Sequence, residues 1–344
     1  MISCPMPVSG YDRVVLGHGS GGRLSAELIQ RVFLPALGND ILGALEDQAT
    51  LPAIAGRIAV TTDAYVVRPI FFPGGDIGSL AVHGTVNDLA VGGAVPLHLT
   101  AAFILEEGLL LTDLERIVQS MRHACQACNI HVVAADTKVV ERGKGDQIYI
   151  TTTGVGLVPD GRVLSVHAAQ PGDRIILSGT LGDHGIAVLS CREGLEFETK
   201  LASDSAPIIK LVEVLLAAAP RTRCMRDPTR GGLSSALHEI AAASGIGVEL
   251  DESAIPIRDE VRGACEMLGL DPLYVANEGK LVAIVPEDEA QHTLAALRAH
   301  PQGQDAAIVG RVLAAPRGLV TLRSRIGGTR IVPLLAGEQL PRIC

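Results

Sequence analysis

Tryptophan is absent from the 344 residues and aromatic side chains make up only 3% of them, so any core is built from Ala, Val, Leu and Ile within a hydrophobic share of 47%. A chain of this length accommodates two such cores, and its 38 glycines suit the tight loops of an α/β protein. No stretch reaches the ~18 uninterrupted apolar residues of a membrane span. Nor do the first residues show a basic segment followed by an apolar one, so a soluble, cytoplasmic protein with no membrane partner is expected. A basic face is missing too. The formal net charge of -9 speaks against nucleic acid, whose phosphates need positive charge opposite them. The seven cysteines, at 4, 125, 128, 191, 224, 265 and 344, are odd in number and scattered, which argues for reduced thiols over a disulfide framework. Cys125 and Cys128 form the one C-x-x-C; with no second pair or His motif to complete a zinc site, they read as two buried thiols on a helix.

What is present begins with Gly17-His18-Gly19-Ser20-Gly21-Gly22 ahead of a helical pattern through Leu28, Val32 and Phe33. Bare backbone before a helix lets N–H groups approach an anion, although the spacing of a P-loop is missing. Acidic positions follow at the edges of apolar segments: Asp47 before a turn, Asp63 after a strand over 57–62, and Asn87-Asp88 on a helix over 78–90. Hard oxygen donors of this kind are what Mg²⁺ prefers, usually together with phosphate oxygens. A strand over 99–105, a helix over 112–128 and a strand from 131 lead to Asp136-Thr137-Lys138, where a carboxylate, a hydroxyl and the only strong cation of the set lie within three residues. That lysine is suited to neutralising phosphoryl charge or moving protons.

A strand over 147–157 closes the first half, and the turn Pro159-Asp160-Gly161 marks a domain boundary. Beyond it come a strand over 174–178, a helix over 204–219, and Arg226-Asp227-Pro228-Thr229-Arg230-Gly231-Gly232 opening a helix that runs to about 243. Thr229 is placed to cap that helix, and Arg226 and Arg230 flank a second potential phosphate cradle. Asn277-Glu278-Gly279-Lys280 precedes a strand over 281–286, which puts a candidate base, Glu278, beside a glycine. A helix over 287–299 and three short strands end the pattern. The last residues, from Gly337 to Cys344, have no apolar periodicity and read as a free arm carrying a thiol. At ~3.4 Å per extended residue, the stretch from Leu334 would carry the Cys344 sulfur on the order of 35 Å.

Taken together, GHGSGGRL, TTDAYVVRP, GTVNDLAVGGA, ADTKVVERG, RDPTRGG, NEGK and the closing PRIC resemble the HypE family of hydrogenase maturation factors. That family lies within the ATP-binding superfamily of aminoimidazole ribonucleotide synthetase, selenophosphate synthetase and thiamine-monophosphate kinase. The resemblance covers nearly the whole chain. It implies an α/β (α+β) two-domain fold: residues 1–158 binding ATP and pairing with a second copy in a homodimer, residues 159–334 as a second α/β domain, and residues 335–344 as a flexible tail. It further implies that a HypF carbamoyltransferase loads Cys344, that ATP drives dehydration of the resulting thiocarbamate to a thiocyanate, and that a HypC–HypD complex receives the cyanide.

By the same resemblance Asp47, Asp63 and Asp88, with Asn87, would hold Mg²⁺ on ATP. Gly19, Gly21, Asp136 and Thr137 would position the nucleotide, Lys138 would meet phosphoryl charge, and Glu278 would deprotonate nitrogen. Two other readings stand beside this one. A small-molecule kinase like selenophosphate synthetase would place a reactive Cys near the Gly-rich loop, where this chain has His18. A non-catalytic metal or thiol carrier would use Cys125, Cys128 and Cys344.

Overall fold

Strand alternation sorts the first sheet into a covered face and a bare one. The structure is a computed structural model describing residues 10–194, 201–335, 337, 340 and 342–344. Most of the arm expected over 1–12 therefore lies outside the described residues, as do Cys4 and Glu338, Gln339 and Pro341 of the tail. Helix α1 (Arg23–Leu28) continues through a π-helical stretch, Ile29–Phe33, into α2 (Leu34–Leu37). Strand β1 (Arg57–Tyr65) and the small hairpin of β2 (Phe71–Phe72) and β3 (Gly75–Asp76) lead into α3 (Ile77–Val91), β4 (Val95–Glu106), α4 (Leu111–Cys128), β5 (His131–Val140) and β6 (Ile148–Val158). The four long strands form one sheet in the order β1-β6-β4-β5, antiparallel except where β4 lies parallel to β5.

Along β1, residues 59, 61, 63 and 65 face α3, while Ile58 and Val60 face solvent at 54% and 66% exposure. On β4 the same alternation leaves Ile104 exposed. One side of the sheet is thus packed under α3 and α4, and the other is an uncovered, partly apolar surface.

Helix α3 is buried all round: every residue except Ser79 and Asp88 is buried. A helix that is apolar on all sides belongs between layers, and α3 serves both halves. Its N-terminus is capped by Asp76, whose carboxylate accepts from the Gly78 and Ser79 amides, and its end packs Ala90 and Val91 into a core shared with the second half.

That half comprises β7 (Arg174–Leu177), α5 (Asp183–Glu193), α6 (Ile209–Ala218), β8 (Cys224–Arg226), α7 (Gly232–Ser244), β9 (Gly247–Asp251), α8 (Asp259–Leu268), β10 (Val282–Val285), α9 (Glu287–Arg298), β11 (Ala307–Leu313), β12 (Val320–Arg323) and β13 (Thr329–Val332). Its seven strands run in the order β13-β12-β9-β11-β7-β10-β8.

Three expectations are corrected. Asp63 and Asp136 lie inside strands, not beyond their ends. The helix expected from Asp204 begins only at Ile209. Pro207 explains this, since a proline disfavours helical backbone in the residue before it, and Asp204 is employed elsewhere. Thr229 caps nothing: α7 starts after Gly231, which sits at φ +75° where a left-handed backbone favours glycine.

Candidate active site

Carboxylates from both halves converge where α3 meets the second sheet. Thr61 and Asp63 project from the covered face of β1, and the Thr61 hydroxyl donates to Asp88 Oδ2 at 2.8 Å. Tyr65 donates its hydroxyl to Asp63 Oδ2 at 3.2 Å, in space left by Gly84, where a side chain would meet the Tyr65 oxygen at 2.3 Å. Burial and the neighbouring charges of Asp227 and Asp63 push the Asp88 carboxyl up to about 7. Burial pushes Asp227 up to about 6, with the charge of Asp63 adding to it. Asp227, in the RDPTRGG stretch, was not among the residues expected here; its place at the end of β8, facing Asp88, is a long-range matter that no local pattern states.

Glu278 is 3% exposed and its Oε1 has no hydrogen-bond partner. Burial, then the charges of Asp227, Asp204, Asp63 and Asp88, hold its carboxyl well above the ordinary range. A buried acid surrounded by other acids keeps its proton readily. Its backbone, by contrast, is tied on both sides. Asn87 Nδ2 donates to the Glu278 carbonyl at 3.1 Å and to the Ala206 carbonyl at 3.0 Å, and Asn87 Oδ1 accepts from the Ile208 amide at 2.9 Å. Asp204 accepts from the Glu278 and Gly279 amides at 3.2 and 3.4 Å and pairs with Lys280 at 3.0 Å. Asn277 fixes the start of the loop, accepting from the Gly182 amide at 2.7 Å. Gly279 allows the close approach, because a Cβ there would meet the Asp204 carbonyl oxygen at 1.9 Å.

The tail ends in this site. Ile343 is 3% exposed and belongs to the first core cluster. The Val66 amide donates to the Cys344 carbonyl at 3.3 Å and the Arg68 amide to the Arg342 carbonyl at 3.2 Å, two backbone bonds that lay the tail alongside residues 66–68. His184 Nε2 lies 2.8 Å from the Ile343 carbonyl, and Arg342 reaches Asp146 at 2.6 Å. The expected free arm is in fact seated by its last three residues. Its apolar anchors are Ile343 and, in part, Leu340, too few to register as periodicity. Burial and the adjacent Glu278 carboxyl hold the Cys344 thiol far above its ordinary range, with Arg230 acting in the opposite sense.

The remaining expected residues lie apart from this cluster. Asp136 and Lys138 pair with each other at 2.8 Å on exposed positions of β5. Asp136 stands beside Ala102 and Lys138 beside Ile104 on the bare face, whereas Asp63 faces α3. Since β1 and β5 are opposite edges of the sheet, three strand spacings, roughly 14 Å, separate them. Thr137 donates its amide to Asp136. The Gly-rich loop lies against the same edge: a Cβ on Gly19 would meet the Val139 amide nitrogen at 2.7 Å, and the Gly21 amide is used by Ser25 at 2.9 Å. Asp47 is exposed on the stretch before β1. Asn87 offers nothing to a nucleotide, because backbone groups take both its carbonyl oxygen and its amide nitrogen. Arg226, expected beside a phosphate, pairs with Glu239. Among the described residues no group of three or more His, Cys, Asp or Glu side chains is gathered as a metal would require. The thiols of Cys125 and Cys128 are buried and pushed up to about 12 by that burial.

Comparison with known proteins places this geometry. Family models described as AIR synthase related protein, N-terminal domain and C-terminal domain, match residues 45–158 and 170–323. A carbamoyl dehydratase HypE from Azotobacter vinelandii is 57% identical over 96% of this chain and 97% of its own. A crystal structure of the hydrogenase maturation protein HypE in complex with ATP superimposes with a TM-score of 0.92 at 48% identity, covering 96% of this chain and 99% of that one. A HypE–HypF complex contains a chain that matches with a TM-score of 0.79 at 46% identity over 91% of this chain and all (100%) of that one.

Proposed function

The chain belongs to the carbamoyl dehydratase family of hydrogenase maturation proteins, and from that premise we propose that it uses ATP to dehydrate a carbamoyl group carried on the Cys344 thiol. The observation that supports this most directly is the position of that thiol, half-buried beside Glu278 at the end of a seated tail. An amide oxygen is a poor leaving group. Transfer of the γ-phosphoryl of ATP to the oxygen of S-carbamoyl-Cys344 releases ADP and converts that oxygen into part of a phosphate. Loss of two protons from nitrogen and cleavage of the C–O bond then release phosphate and leave the S–C≡N group. Glu278 is the group placed to take a proton from nitrogen; burial keeps its own proton on, so it serves as the base only after giving that proton up, which a cation held at the neighbouring aspartates would favour. Seating the tail supplies proximity, on which phosphoryl transfer largely depends.

Mg²⁺ fits the donor set. Burial, with the neighbouring charges of Asp63 and Asp227 on Asp88 and of Asp63 on Asp227, raises the proton affinities of Asp88 and Asp227, and a divalent cation would offset that loss of water and gathering of charge. Asp63 and Asp88 would hold it, the rest of its shell coming from phosphate oxygens and water; when bound it supplies positive charge to the transferring group. Gly19, Gly21, Asp136, Thr137 and Lys138 lie at the other edge of the sheet, on and beside the bare face. They would serve a nucleotide there if a second copy pairs across that face, and Asp47 lies exposed on the stretch before β1. The partners follow from the family: HypF to load the thiol, a HypC–HypD complex to receive the cyanide for a NiFe hydrogenase, and the cytoplasm as the place.

Mass spectrometry of the peptide containing carbamoylated Cys344 tests the reading. With Mg-ATP the peptide loses one water, and without ATP it does not. Persistence of the carbamoyl group in both would refute it.

A further inference from the structure

The last residues do not run as a strand, since Arg342 turns the chain at φ +54°, and this sets a problem for the seated tail. Pairing with 66–68 satisfies the carbonyls of Arg342 and Cys344. The carbonyl between them, on Ile343, points the other way into the interior, where an unpaired oxygen is costly. His184 is the group that meets it. Its side chain is fully buried at 0% exposure, Nε2 lies 2.8 Å from the Ile343 oxygen and Nδ1 lies 2.7 Å from Ser203 Oγ. The carbonyl can only accept, so Nε2 carries the proton. Burial lowers the affinity of the ring for a second one, so Nδ1 accepts from the Ser203 hydroxyl. Phe72 meets the ring edge-on with centroids 5.4 Å apart, which fixes its plane. Ser203 is itself anchored across the seam, its amide donating to the Pro73 carbonyl at 2.7 Å.

We propose that His184, held in one tautomer by Ser203, is the positioning residue that latches the tail and so places Cys344 against Glu278. Asp204, the next residue after Ser203, holds the Glu278 amide, so a single stretch of chain sets both the base and the tail that delivers to it. The latch also sets how often the thiol leaves. A thiol loaded by a separate carbamoyltransferase must be out of the site, and one being dehydrated must be in it. Weakening the latch therefore moves the two half-reactions in opposite directions, which a purely structural defect does not do. The effect on the half-reactions rests on the function proposed above; the seating of the tail does not.

Alkylation of the full-length protein with iodoacetamide, read by peptide mass spectrometry without any carbamoyl donor, separates the two. His184→Phe keeps an aromatic ring at the position but removes both nitrogens, and Cys344 should react about 10-fold faster, the order expected for losing one buried hydrogen bond. Buried Cys125, Cys128, Cys224 and Cys265 serve as internal reporters and should stay unreactive. His184→Gln, which restores a donor, should return Cys344 toward the wild-type rate. With carbamoyltransferase present, His184→Phe should be loaded faster and dehydrated more slowly.

Unchanged Cys344 reactivity in His184→Phe, or a His184→Gln variant that reacts as fast as His184→Phe, overturns the latch. If His184→Phe exposes the buried cysteines as well, Ser203→Ala decides: a severalfold rise confined to Cys344 supports the latch, and no rise overturns it. Selective exposure of Cys344 with no effect on dehydration would support the latch and count against the function on which its catalytic consequence rests.

Discussion

Four carboxyl side chains, Asp63, Asp88, Asp227 and Glu278, act on one another in a region with little water, and their chemistry follows from that crowding. Replacing Glu278 with Gln keeps the shape and removes the proton acceptor. Dehydration should fall on the order of 10²- to 10⁴-fold while binding of ATP, measured by calorimetry, survives. Loss of nucleotide binding together with activity would instead make Glu278 a part of the nucleotide site. Asp88 carries a pH signature. Its ordinary value is 3.8 and in the fold it is pushed up to about 7, so the folded chain holds a proton there that the unfolded chain releases. The stability this contributes is present in full below about pH 4 and is lost as pH rises through 7, at no more than about 1.4 kcal/mol per pH unit. Asp88→Asn lacks that slope. Its Tm should therefore gain on the wild type by several degrees between pH 4 and 7 in metal-free buffer, and parallel curves would show that Asp88 is ionised throughout. Asp63, Asp88 and Glu278 were legible in the sequence as acids beside glycines and apolar segments. Asp227 was not, because nothing near it in the chain reports that β8 carries it to α3.

At the scale of elements, α3 is the piece on which the site depends, and its reading from sequence was half right. The helix is evident from an apolar run of suitable length. Burial on every side hides which residues face the second half, because no amphipathic stripe marks them. Asn87 shows the consequence: an amide next to Asp88 reads as a ligand, yet it ties α3 to the chain over 206–208 and to the Glu278 carbonyl. Asn87→Ala would strand those backbone groups and should cost about 2–4 kcal/mol of stability in urea unfolding, at the upper end for a buried network. It should also reduce dehydration by loosening Glu278, whereas full activity would show that Asp204 alone holds the loop. The helix expected from Asp204 failed for a related reason. Local pattern favoured a longer helix, while Pro207 and the demand for a carboxylate at the Glu278 and Gly279 amides kept the stretch extended. The amphipathic α8 and the strand β9 lie in a part of the chain for which the sequence reading offered no element.

For the whole molecule, the uncovered face of the first sheet is the surface on which the proposed pairing of two copies depends. Ile58, Val60 and Ile104 are 54%, 66% and 42% exposed there, an apolar grouping of the kind that marks an interface, and Asp136 and Lys138 stand on the same side. A second copy packed on this face would cover it. Val60→Asp should then convert dimer to monomer in sedimentation velocity and abolish ATP turnover without lowering Tm by more than a few degrees. An intact dimer would remove this surface from consideration. An α/β fold was legible from composition and the run of strand and helix patterns, whereas the seating of the tail was not, since it rests on Ile343, Leu340 and contacts to distant residues such as His184 and Asp146 that no local pattern states. That isoleucine has a mechanical side. Ile343 fills a socket in the same apolar cluster as α3 and α4, and withdrawing a side chain of that size from such surroundings costs roughly 1.5–3 kcal/mol. Each excursion of the arm leaves a hole at the centre of its own protein, so outward travel runs uphill and the homeward leg runs down. The fold thus acts as a return spring on its own cargo, and a donor or acceptor protein must grip the arm firmly enough to hold it against that pull.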